Sequence, residues 1–506
     1  MPHGERAIVA IATTLALAIS ASCAAQTVSA AKVAAAPARL TSLEQLQRDL
    51  NTIFTDKTAQ WSVQVGSLKS GDSLFSLNPY RLQVPASNQK LLTSAVAAEK
   101  LGWGFTYTTR VYSTGQLADG VLDGDLIVTS DGDPTINPRH PARWVVLDEW
   151  AKQLAAKGIH IVAGQLVGDD SAFAEPGWAP GWSWDDIAYG YGAPVGALQY
   201  NENQVELMIL PASQAGGRAI ISMSPPASGL TIDHALTTGA AGSETRIAIE
   251  RIPGSNILSV RGQIAADSPA VTETVGVQNP TLMYVNAFRE ALARHGIFVG
   301  GGTTDVDDLR LAPDYAKATL LIEDHSPPLS EIIDVTLKWS RNLYAETMLR
   351  TLARPERPAT AETGLKVLRE TLRSWGVGAE YYLARDGSGL SRYDYLTPNA
   401  LTVMLSYVWA NPDHADLFRS TLPVAGVSGS LEARMKGTPA ADHVWAKTGS
   451  MSQVRSLSGY IMTTDQEPLV FAIIVNGFRA PPREVDATVD RALVRLVEFK
   501  RGVPTP

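Results

Sequence analysis

The chain has 506 residues, 45% of them hydrophobic and 19% charged, enough apolar material for two or three domains with buried cores and too much for extended disorder. Its 43 basic and 51 acidic residues leave a formal charge of −8, and no lysine or arginine run gathers positive charge into a phosphate-binding face, so nucleic acid is excluded as a partner. The 8 histidines lack metal-ligand spacing, and no H-E-x-x-H, G-x-S-x-G, Walker loop or dinucleotide fingerprint occurs, so neither metal nor cofactor is expected.

Residues 1–31 run from a weakly basic start (Arg6) through an apolar stretch, Ala7 to Ile19, into small residues from Ser20 to Ala31. The apolar run falls short of the roughly 20 residues of a membrane span and has the layout of a secretory signal peptide. Export to the periplasm, cell envelope or medium is expected, with no transmembrane segment in the mature chain. The 1 cysteine, Cys23, lies inside this leader, and cleavage beyond it leaves no thiol for a disulfide or a nucleophile. A lipid anchor on Cys23 is the less favoured alternative, because Ser20 stands where lipoprotein signals carry an aliphatic residue.

An Ala/Pro-rich linker, 32–42, precedes a helix predicted from Leu43 to Thr55, with Leu43, Leu46, Leu50 and Ile53 at helical spacing. Alternation predicts strands at Trp61–Val65 and Ser73–Leu77, leading into Pro85-Ala-Ser-Asn-Gln-Lys90 and an apolar helix. From Thr106 to about Leu321 short β-like runs, among them Leu126–Val128, Ile161–Val162 and Val205–Leu210, are separated by Gly, Asp and Pro, and the region reads as inserted material. Helical patterns return at Ser330–Ala353, Thr363–Trp375 and Thr397–Trp409. Strands at Leu457–Ile461 and Leu469–Val475 and a helix from Glu484 to Phe499 close the chain, so its two ends are expected to join into one α+β domain.

Three short elements carry the chemistry. In Ser87-Asn-Gln-Lys90 a hydroxyl and an amine fall three apart near a helix start and share a face. A lysine acting as base there must be moved from about 10.4 to roughly 7, a preference for the neutral form of about 4 to 5 kcal/mol. Ser340-Arg-Asn342 follows 253 residues later, in a turn between helices, and Lys447-Thr-Gly-Ser450 a further 107 residues on. Each alone is commonplace: a cap and a solvated amine, a turn, a turn before a strand. In this order they match the S-x-x-K, Ser-x-Asn and K-T-G set of penicillin-binding proteins and β-lactamases.

With Leu126-Ile-Val-Thr-Ser-Asp-Gly-Asp-Pro-Thr135, Gly181-Trp-Ser-Trp-Asp-Asp186, Asp386-Gly-Ser-Gly-Leu-Ser-Arg392 and Leu422-Pro-Val-Ala-Gly426, the chain resembles the class C low-molecular-mass penicillin-binding proteins. These are D-alanyl-D-alanine carboxypeptidases and endopeptidases with two domains inserted after the S-x-x-K helix. The resemblance implies an α+β transpeptidase/β-lactamase-like domain (43–109 and 326–506), an antiparallel sheet with helices on both faces, interrupted by two β-rich inserts (110–132 with 208–325, and 133–207). It implies Ser87 as nucleophile, Lys90 as proton acceptor, Ser340 as relay to the leaving amine, Asn342 on the substrate amide and Lys447 setting the potential. Thr448, Gly449 and Ser450 would receive the terminal carboxylate and backbone, with the Ser87 and Ser450 N–H groups as oxyanion hole. Asp169 and Arg392 would bind the side chain of the diamino acid. The implied substrates are peptidoglycan peptides ending in D-Ala-D-Ala, with β-lactams as covalent inhibitors. The balance of carboxypeptidase and endopeptidase action stays open at this point, and a β-lactamase and a catalytically silent wall-binding or sensor protein remain the alternatives.

Overall fold

The strand Pro468–Asn476 (β5) is apolar at nearly every position because both its faces are covered. Leu469, Phe471, Ile473 and Val475 enter one hydrophobic core, and Val470, Ala472 and Ile474 enter another on the opposite face, the period-two alternation of a strand buried on both sides. The computed structural model describes residues 41–502 except 227 and 253. The expected leader 1–31, Cys23 and most of the 32–42 linker lie outside them. β5 is the middle of a five-stranded antiparallel sheet with Gln60–Ser67 (β1), Ser73–Leu77 (β2), Val444–Met451 (β3) and Val454–Met462 (β4), in the order β2-β1-β5-β4-β3. N- and C-terminal segments therefore build one domain.

One face is covered by Ser42–Ile53 (α1), which Thr41 and Glu44 start with a reciprocal capping box, and by the closing helix Pro482–Val497. The other carries Gln89–Leu101 (α2), buried from Gln89 through Ala98 and so a central rather than a surface helix. The Ser330–Ala353 pattern is two helices, Leu329–Lys338 (α3) and Asn342–Thr351 (α4), broken at Ser340, whose φ of +58° no helix accommodates.

Two features of the insert do not show in its strand runs. It contains helices, Val146–Ala156 and Pro280–Arg294, which the frequent Gly, Asp and Pro residues around them obscure in the sequence. Its apolar residues also do not partition at 133 and 207. Leu126–Ser130 pairs in parallel with Leu166–Asp169, and the chain between them crosses over through the Val146–Ala156 helix, so residues on both sides of 133 share one sheet. Trp150, Leu166, Phe288 and Ile322 lie in that core, whereas Val205, Leu207, Leu258, Val260 and Val275 form the second, within 205–283.

Candidate active site

A 3-10 turn, Ala86–Asn88, lifts Ser87 to the start of α2. Ala86 is buried and held at φ +46°, a strained conformation that turns the chain so that Ser87 is partly exposed while Lys90 is wholly buried beneath it. Lys90 Nζ lies 3.0 Å from Ser87 Oγ, 2.6 Å from Asn342 Oδ1 and 2.7 Å from the Ser388 carbonyl. The carboxamide oxygen and the carbonyl only accept, so a neutral amine gives them both its N–H bonds and keeps its lone pair for the Ser87 hydroxyl. Burial is the main reason that the Lys90 amine is lowered from 10.5 to about 7; Asp386 and Glu346 oppose the shift and Arg341 adds to it.

β3 forms the other wall. Lys447 Nζ, fully buried, donates to Ser340 Oγ at 2.9 Å and to the Thr448 carbonyl at 2.8 Å. Burial, and after it the nearby Lys90, holds this amine well below its ordinary value. Asn88 Nδ2 donates to the Lys447 carbonyl at 2.9 Å and ties the Ser87 turn to the strand. Only glycine fits at 449: a Cβ there would stand 2.1 Å from Ser456 Oγ and 2.8 Å from the Pro85 carbonyl. Ser430 Oγ and Thr448 Oγ1 lie 2.7 Å apart, adding a hydroxyl that no motif announces.

Ser87, Ser340, Asn342, Arg392 and Ser450 all line one cleft of about 300 Å³, with Lys90 and Lys447 behind its wall and Thr448 beside it. Asp169 is not there. Its strand belongs to the insert's sheet, where its carboxylate accepts from Ser171 and the Tyr315 hydroxyl and borders a separate cavity of about 450 Å³ with Arg110 and Arg357. The acid that does line the Ser87 cleft is Asp186: Oδ1 accepts the Tyr191 hydroxyl at 2.8 Å and Oδ2 has no partner. It belongs to the Gly181–Asp186 stretch that contributes to the resemblance. The insert also supplies the Tyr191 carbonyl, which orients Asn342 by accepting from Nδ2 at 2.8 Å, and Trp182, which donates to Asp386 at 2.8 Å. Among the described residues no cluster of three or more His, Cys, Asp or Glu is placed to hold a metal, and no helix is long and apolar enough to cross a membrane.

The model of the D-Ala-D-Ala carboxypeptidase 3 (S13) family matches residues 46–498. The chain belongs to that family. Among its relatives, the D-alanyl-D-alanine carboxypeptidase of an Actinomadura species is 32% identical over 92% of this chain and 86% of its own. The D-alanyl-D-alanine carboxypeptidase DacB of Haemophilus influenzae is 27% identical over 84% and 86%. The crystal structure of penicillin binding protein 4 from Haemophilus influenzae superposes with a TM-score of 0.78, at 24% identity over 89% of this chain and 98% of that one, and shows that the two share the fold.

Proposed function

We propose that this S13 protein is an exported serine D-alanyl-D-alanine carboxypeptidase that acts on peptidoglycan stem peptides through an acyl-enzyme on Ser87 and is acylated at the same atom by β-lactams. The observation that carries the reading is the Lys90 amine, buried, lowered to about 7 and 3.0 Å from Ser87 Oγ. In the first half-reaction Ser87 Oγ attacks the carbonyl of the penultimate D-alanine while its proton passes to Lys90 Nζ. The tetrahedral oxyanion is received by backbone N–H groups at Ser87 and Ser450. Collapse breaks the C–N bond, and the proton taken up by Lys90 passes to the leaving amine through Ser340 Oγ, which Lys447 contacts at 2.9 Å, so that Lys90 is neutral again. Water then hydrolyses the ester, with Lys90 removing its proton and returning one to Ser87. The hydroxyls of Thr448, Ser450 and Ser430 suit the terminal carboxylate, and Asp186, with Arg392 in the same cleft, suits a zwitterionic side-chain terminus on the donor peptide. The leader layout of residues 1–31 supports export.

Intact-mass measurement of the protein incubated with benzylpenicillin tests the reading. A lasting adduct of one penicilloyl group on Ser87 is the expected result. Rapid turnover without accumulation would make the protein a β-lactamase, and no adduct at any pH would sink the acyl-enzyme. Release of D-alanine from a pentapeptide, set against cleavage of a cross-linked dimer, apportions carboxypeptidase and endopeptidase action.

A further inference from the structure

Two of the three contacts to Lys90 come from Ser87 and Asn342, side chains within the motifs. The third, the Ser388 carbonyl, belongs to none of them and must be aimed by whatever holds the 386–391 loop. Three successive carbonyls of that loop face α2: Asp386 O accepts from Gln89 Nε2 at 3.3 Å, Gly387 O from Thr93 Oγ1 at 2.7 Å, and Ser388 O from Lys90. On its other side the loop meets α4, where Glu346 Oε1 accepts the Gly387 N–H at 2.9 Å and the Ser388 N–H at 2.8 Å. Glu346 stands one helical turn beyond Asn342, on the same face of α4. The fit leaves no slack, since a Cβ on Gly387 would lie 2.8 Å from the Ala345 carbonyl and one on Gly389 1.9 Å from the Ala86 carbonyl.

A glutamine would satisfy the two N–H groups as well as a glutamate does, so the loop alone does not call for a charge. Yet Glu346 is wholly buried, its Oε2 makes no hydrogen bond, and its nearest cation, the buried Arg350, is 3.7 Å away. An acid kept in such a place is costly unless its charge is used. We propose that Glu346 is a positioning residue of the acylation step: it holds the Ser388 carbonyl against the Lys90 amine, and its negative charge governs how readily that amine keeps its proton.

The charged groups facing Lys90 are Asp386 from the loop, Asp394 just beyond it, Glu346 from α4, Arg341 from the turn before it, and Lys447 from β3. Asp386 is bound by the Gly389 and Ser391 N–H groups and by Trp182, and burial beside Asp386 holds the Asp394 carboxyl well above its usual range. Burial and Asp386 raise Glu346 too, opposed by Arg350 and by the hydrogen bonds from Ser388. Removing the charge at 346 removes an attraction for the ammonium and leaves Lys90 easier to deprotonate.

The inference rests on the Ser87–Lys90 reading, and the test separates the two. The rate constant for acylation by benzylpenicillin is followed against pH for the full chain, for Glu346→Gln and for Thr93→Val. A parent protein that never acylates refutes the Ser87–Lys90 reading itself. Given a parent that acylates, Glu346→Gln is expected to move the acid limb to lower pH by about half a unit or more. Thr93→Val, which loosens the same loop without touching a charge, is expected to lower the plateau and leave the limb in place. A limb unmoved or moved upward in Glu346→Gln, or moved equally in both variants, overturns the proposal. So does a Glu346→Gln protein that cannot fold, which would make the carboxylate a structural group.

Discussion

Lys90 is buried among three acids and an arginine, and burial outweighs the acids, so its amine is held at about 7 where an exposed one would stand at 10.5. That difference is roughly 5 kcal/mol of preference for the neutral form. Between those values the folded chain binds fewer protons than the unfolded one. The penalty is therefore complete below pH 7 and fades as pH climbs toward 10.5, and this residue's contribution to stability improves through that window. Lys90→Met removes both the penalty and the proposed base. The variant is expected to lose acylation, stay folded, and show a urea midpoint at pH 7 no lower than the parent's, with its advantage shrinking by about 1.4 kcal/mol per pH unit toward pH 10. A variant less stable than the parent at pH 7 would mean that the ammonium is held by net attraction. Ser87 and Lys90 could be found in the sequence because their relation is local, three positions on one turn. Asp169 and Asp186 could not be told apart that way, since which acid reaches the cleft depends on the parallel pairing of Leu126–Ser130 with Leu166–Asp169.

The elements themselves were legible wherever one period ran long enough. α1, β1, β2, α2 and the C-terminal strands begin and end within a few residues of where spacing puts them. The contacts between elements were not, because they depend on backbone approach, which side-chain patterns do not encode. Gly389 shows this. In the sequence it is one glycine of Asp386-Gly-Ser-Gly389; in the fold it sits at φ +80° with room for no side chain against Ala86. Gly389→Ala must push the loop off the Ser87 turn and withdraw the Ser388 carbonyl from Lys90. The expected cost is about 2 kcal/mol or more in thermal unfolding. Acylation should slow by more than about tenfold through lost alignment. An unchanged melting temperature with full activity would show that the loop can close elsewhere.

Across the whole molecule, the insert is part of the cleft as well as an interruption of the domain. Glu202, buried at φ +57°, accepts from Arg139 at 2.9 Å and from Arg341, so one carboxylate from the insert joins the residue between Ser340 and Asn342 to another stretch of the insert. Glu202→Gln leaves Arg139 and Arg341 without their shared anion and is expected to destabilise the fold by about 3 kcal/mol. The benzylpenicillin acylation rate should fall with it, and a drop in stability with an unaltered rate would show that the insert does not position the Ser340–Asn342 turn. That the middle of the chain interrupts a domain was apparent from the change in texture after Thr106; how it divides was not, because the dividing contacts join residues more than 100 positions apart, such as Trp150 and Phe288. The sheet order has a consequence for the chain as it is made. β1 is paired along its length with β5, from Gln60 opposite Asn476 to Ser67 opposite Leu469, and β3 arrives scarcely earlier. A polypeptide emerging N-terminus first thus presents Ser87 and Lys90 long before any opposing wall exists. On the proposed roles, the serine can be put to use only after the last strands have paired, however much of the chain has already been made.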